Sequence, residues 1–81
     1  MKVIKRDGRK VEYDSDKIVI AISGANKDVG GKDKISRADI EFITKYIENL
    51  GKSTITVEDI QDIIKRKLME FGKFSLAKKY I

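Results

Sequence analysis

The sequence contains no cysteine and no histidine. The first absence excludes disulfides and thiolate metal sites. The second removes the commonest general base and the commonest transition-metal ligand. Zinc enzymology and Ser-His or Cys-His nucleophilic chemistry go with them. Proline is absent too, and no Ser-rich linker, internal repeat or low-complexity segment breaks the chain. No apolar run approaches ~18 residues, so no membrane span is expected. The opening Met1-Lys2-Val3-Ile4-Lys5-Arg6 becomes charged too soon for a signal peptide. The expectation is a soluble, cytoplasmic protein without a membrane partner.

What remains is short, apolar enough and basic. The chain has 81 residues, the size of one small domain spanning 1–81. Apolar residues make up 41%, enough for one core, whose net stability should be roughly 3–5 kcal/mol at this size. The net charge is +5 and the pI about 9.5. That balance favours an anionic partner: nucleic acid, nucleotide or an acidic protein. It also fits an ordinary mixed surface, since 13 acids stand among 18 bases.

Hydropathy patterning gives the order β-β-α-α-β-α-α. Val3 to Arg6 and Arg9 to Tyr13 read as strands. Asp7-Gly8 between them predicts a two-residue type I′ hairpin, with positive φ at both positions. Asp14 or Ser15 can cap a helix whose stripe is Ile18, Ala21, Ile22 and Ala25. Gly30 to Lys34 reads as a polar loop. Ser36 with Asp39 resembles a capping box ahead of Ile40, Ile43, Ile47 and Leu50, and Gly51 ends that helix. Ser53 to Thr56 is a short third strand. Thr56 to Asp59 repeats the capping pattern before Val57, Ile60, Ile63, Ile64, Leu68 and Phe71, and Gly72 stops this third helix. A last helical pattern holds Leu76, Ala77, Tyr80 and Ile81. It has no closing signal, which leads to the expectation that the chain is the front domain of a longer protein. A small sheet cannot bury itself, so it must lie on the helices. The expected fold is α+β, a four-helix bundle capped by a small three-stranded sheet with an N-terminal hairpin.

Three apparent motifs carry little. Gly51-Lys52-Ser53-Thr54 looks like the end of a phosphate-binding loop, but Tyr46 stands where the first glycine is needed. The segment also leaves a helix instead of entering one. The acid pairs Asp14/Asp16, Glu58/Asp59 and Asp59/Asp62 read as first-turn residues favoured by the helix dipole. No catalytic constellation emerges. Lys65 to Lys67 reads as the solvated side of an amphipathic helix, without interleaved aromatics.

The N-terminal segment differs. Lys5 and Arg6 precede the turn, and Lys17 sits in the first turn of the next helix. A helix N-terminus favours anions, so a lysine there has the wrong sign unless an anion occupies the site. A solvated turn and a phosphate grip both remain open on these grounds.

The stretch "VIKRDGRKVEYDSDKI" closely resembles the opening signature of the ATP-cone domain: Lys-Arg-Asp-Gly, a short strand ending in an aromatic, then Asp-x-x-Lys-Ile. "ITVEDIQDIIKRKLMEFG" and "FSLAKKYI" resemble that family's third helix, with its preceding strand, and its closing helix. The resemblance covers almost the whole chain. It implies an allosteric on/off domain that binds ATP or dATP and controls overall activity of a ribonucleotide reductase. The domain itself would not be an enzyme. The family also includes a transcriptional repressor of reductase genes, but that protein carries a cysteine-rich zinc ribbon ahead of its cone. The opening "MKVIKRDG" most resembles anaerobic ribonucleoside-triphosphate reductases.

Carried over by position, the resemblance implies that Lys5 and Arg6 contact phosphates and that Asp7 and Gly8 form the turn that closes around the nucleotide. Lys17 would also grip phosphate, and Val3, Tyr13 and Ile18 would lie near the base. Val11 stands where some members carry a polar, ribose-contacting residue. Mg²⁺ would accompany the nucleotide. The implied partners are an adenine nucleotide, the catalytic domain of a parent reductase, and a second copy through self-association. The competing expectations are a small basic nucleic-acid module, which predicts affinity falling steeply with salt, and a docking domain with no ligand.

Overall fold

A computed structural model describes residues 1–80; Ile81, assigned above to the last apolar stripe, lies outside the described residues. Three strands form one sheet: β1 (Lys2–Ile4), β2 (Lys10–Glu12) and β3 (Thr54–Thr56). Four α-helices accompany it: α1 (Ser15–Asn26), α2 (Arg37–Glu48), α3 (Val57–Glu70) and α4 (Phe74–Tyr80). A single 3-10 turn, Gly31–Asp33, stands in the segment expected to be plain loop. The α+β architecture expected from the sequence is the one observed.

The hairpin differs from expectation in its turn. Ile4 faces Lys10 and Val3 faces Val11, while the Lys5 N–H donates to Arg9 O at 2.8 Å. Three residues, Arg6, Asp7 and Gly8, therefore form the loop. The Gly8 N–H donates to Lys5 O at 2.9 Å, and Gly8 alone of the three has positive φ, +88°. This is a turn closed by a left-handed glycine, as three-residue hairpins commonly are, not type I′. The physical reason is register. A two-residue loop would set Val3 against Glu12. The observed loop sets Val3 against Val11 and lets Lys2 pair with Glu12. Asp7 stiffens the tip, since its carboxylate accepts from both the Arg9 N–H (3.1 Å) and the Arg9 Nε (2.7 Å).

β1 is the central strand, antiparallel to β2 and parallel to β3. α1, α2 and α3 each start where a side chain accepts from an unsatisfied N–H: Asp14 from Asp16, Ser36 from Asp39, and Thr56 from Asp59. α3 ends in a Schellman motif. The Lys73 N–H reaches Leu68 O, the Gly72 N–H reaches Met69 O, and Gly72 takes φ +76°.

The apolar stripes meet in one core. Ile22, Ile43, Ile47, Ile64, Leu68 and Leu76 are its fully buried centre. Each is worth about 1.5–3 kcal/mol of burial. Ala21, expected in the stripe of α1, is exposed, because it faces a cleft and not the bundle. Val29 and Ile35, which flank the segment read as a polar loop, are buried. Asn26 holds that segment down: its amide accepts from the Ile35 N–H at 2.9 Å and donates to Ile35 O at 3.2 Å. Lys67 also departs from the solvated reading, since its ammonium lies 4.0 Å from the centre of the Tyr46 ring. Among the described residues no helix is long and apolar enough to cross a membrane.

Candidate functional site

The inward face of the hairpin does not rest fully on the bundle. Strand alternation puts Val3, Lys5, Val11 and Tyr13 on one face. Opposite them stand Lys17, Ile18 and Ala21 of α1, Val57, Ile60 and Gln61 of α3, and Tyr80 of α4. Between these walls lies a cleft of about 160 Å³. Aliphatic and aromatic carbon forms most of its lining, and Lys5, Lys17, Glu12 and Asp14 are its charged residues. Among the described residues, neither Lys5 nor Lys17 forms an ion pair, whereas Lys2, Arg6 and Arg9 each have a carboxylate within 4 Å. Lys5 is half-buried. The lysines thus contribute uncommitted charge at an apolar wall. Such a cleft suits a ligand with a flat apolar part and an anionic part.

Each candidate residue can be placed. Val3, Lys5, Tyr13, Lys17 and Ile18 line the cleft together. Arg6, Asp7 and Gly8 form the hairpin tip beyond that lining. Asp7 is engaged by Arg9, whose N–H and guanidinium hold its carboxyl below the usual range. Arg6 turns to α3, donating from Nη2 to Gln61 Oε1 at 2.9 Å. The Tyr13 ring lines the cleft, but its hydroxyl donates away from it, towards Glu48 Oε2 at 3.2 Å and Thr44 O at 3.4 Å. Burial, then the nearby Glu48 carboxylate, raise its pKa far above the ordinary value. The phenol is therefore a strut between the end of β2 and α2.

Gln61 and Tyr80 were not singled out from the sequence. Both were hidden by the helical stripes: Tyr80 reads as one more core residue, and Gln61 as the solvated neighbour of Ile60. A polar residue on the shoulder of an apolar stripe was the available signal for Gln61. Burial raises the Tyr80 hydroxyl's pKa. No group of three or more carboxylates gathers among the described residues to hold a metal ion.

Comparison with known proteins accords with the geometry. The chain is 27% identical over 88 aligned positions to the ribonucleoside-diphosphate reductase subunit alpha of Chlamydia pneumoniae. That alignment covers 98% of this chain and 8% of the relative, so the chain spans a small fraction of the relative's length. The family profile described as ATP cone domain matches residues 1–81. With four helices, a small mixed sheet and a basic N-terminal hairpin over one cleft, the chain belongs to the ATP-cone domain family.

Proposed function

We propose that this domain senses adenine nucleotides and regulates a ribonucleotide reductase to which it is joined. An ATP-cone is a regulatory nucleotide-binding domain and not a catalytic one. The observation that carries the reading here is that two lysines without ion pairs among the described residues share one largely apolar cleft. The base lies against Val3, Ile18, Val57 and Tyr80, and the phosphates run out towards Lys5, Lys17 and the hairpin tip. The ammonium groups of Lys5 and Lys17 supply the charge-assisted bonds that a polyphosphate needs. Mg²⁺ accompanies the nucleotide on phosphate oxygens and water, the arrangement it prefers.

ATP and dATP act as opposing ligands of this site. Each favours a different docking of the cone on its neighbours or on a second copy, and each shifts that balance only by its differential affinity for the two states. The opening residues point to an anaerobic triphosphate reductase as parent, while the relative described above is a diphosphate reductase subunit.

Calorimetric titration with ATP, dATP and GTP in the presence of Mg²⁺ tests the reading. Saturable binding of the two adenine nucleotides, with GTP weaker, is expected. A folded chain that binds no adenine nucleotide at millimolar concentration refutes it. Affinity that ignores the base and collapses with salt would mark a nucleic-acid module instead.

A further inference from the structure

Arg6 has a second set of partners that the nucleotide reading does not use. Its Nη2 donates to Gln61 Oε1 at 2.9 Å, across 55 positions of chain. Its Nε stands 3.5 Å from Glu58 Oε2. Glu58 and Gln61 are one turn apart on α3, so both present oxygen to the same edge of the guanidinium. The Arg6 side chain is 70% exposed and that of Glu58 50%. Water thus has access to the pair, and exchange of partners costs little. Gln61 lines the cleft, so the contact sits at its rim.

A carboxylate and a phosphate offer a guanidinium the same pair of acceptor oxygens. The Nε/Nη2 edge serves one of them at a time. Resting on the nucleotide reading above, we propose that Glu58 competes with the ligand's outer phosphates for Arg6. A triphosphate then releases the hairpin tip from α3, and a monophosphate does not. Lys5 and Lys17, which carry no ion pair among the described residues, satisfy the first phosphate. Only a longer chain reaches the tip, and it must take Arg6 from Glu58. The number of phosphates is thereby converted into the presence or absence of one contact between the hairpin and α3.

The test is a mutant cycle read by calorimetry and by the Nε–Hε resonance of Arg6. ATP and AMP are titrated into the wild type, Glu58→Gln, Arg6→Ala and the double variant. Glu58→Gln should tighten ATP by about two- to five-fold, the scale of an exposed ion pair, and leave AMP unchanged. In the Arg6→Ala background the same substitution should have no effect. In the wild type, ATP should shift the Arg6 resonance and AMP should not. Weaker ATP binding by Glu58→Gln overturns the proposal, because Glu58 would then position Arg6 for the ligand. An equal gain with Arg6 absent overturns it as well, because plain repulsion would suffice. A wild type that binds ATP and does not respond to Glu58→Gln defeats the competition alone. A wild type that binds neither nucleotide defeats the underlying reading too.

Discussion

Lys17→Ala should move stability and affinity in opposite directions. Lys17 is the third residue of α1, behind the Asp14 cap, and it is exposed. There it opposes the positive end of the helix dipole, and removing it should raise stability by about 0.3 kcal/mol. Alanine's better helix propensity adds slightly to this. For a domain of this size the melting temperature should rise by about 1–3 °C. Without an ion pair among the described residues, Lys17 leaves no orphaned carboxylate behind. Its loss from a phosphate site costs a charge-assisted bond, about 1–2 kcal/mol at an exposed position. ATP binding should therefore weaken by about 5- to 30-fold. Thermal melts by circular dichroism and calorimetric titration of the same two preparations measure both quantities. Unchanged affinity would remove Lys17 from the site. A lower melting temperature would show that the lysine holds the helix start by a contact, and the dipole argument would fail.

Two further predictions concern polar struts that hold the fold together. Tyr13→Phe should destabilise the domain by about 0.5–1.5 kcal/mol at neutral pH through loss of the bonds to Thr44 and Glu48. The folded phenol ionises well above its ordinary value of 10.0, so its contribution is complete below that pH and declines as pH rises through the folded value. The gap between wild type and variant should then hold up to about pH 10 and shrink as pH rises beyond it, and a constant gap above that pH would contradict the assignment. Asn26→Ala should cost about 1–3 kcal/mol, because it strips both partners from the buried Ile35 backbone. A fall in melting temperature of less than about 2 °C would show that water replaces the amide.

What the sequence discloses depends on how local the cause is. Ser36 and Thr56 announce their helices because a cap is a contact three residues long. Ile40, Ile43 and Ile47 announce the buried face of α2 because the period of a helix is fixed. Asp7-Gly8 announces a turn, but its length is set by which residues face each other across the sheet, and Val3 against Val11 decides that. The burial of Ile35 is secured by Asn26, whose side chain substitutes for a strand partner; nothing in the intervening "GGKDK" hints at it. Lys67 appeared solvated because Tyr46 lies on another helix. In the candidate site, Lys5, Lys17 and the apolar side chains Val3, Tyr13 and Ile18 were legible from a motif; the wall formed by α3 and Tyr80 was not. The docking of Arg6 on α3 was not, because it joins residues 55 apart.

The cleft draws on Val3 at one end of the described chain and Tyr80 at the other, and its roof hangs from a central strand that must find β3 some fifty residues later. During synthesis the hairpin can close at once, but the parallel ladder waits for Thr54–Thr56 and the last wall waits for α4. No partly made chain holds the pocket. A ligand of this cleft therefore binds the finished domain alone, and it raises global stability by an amount that grows with the logarithm of free ligand over its dissociation constant. If that ligand is the proposed nucleotide, its concentration sets how much of the domain is unfolded and open to proteolysis, quite apart from any message the domain passes on.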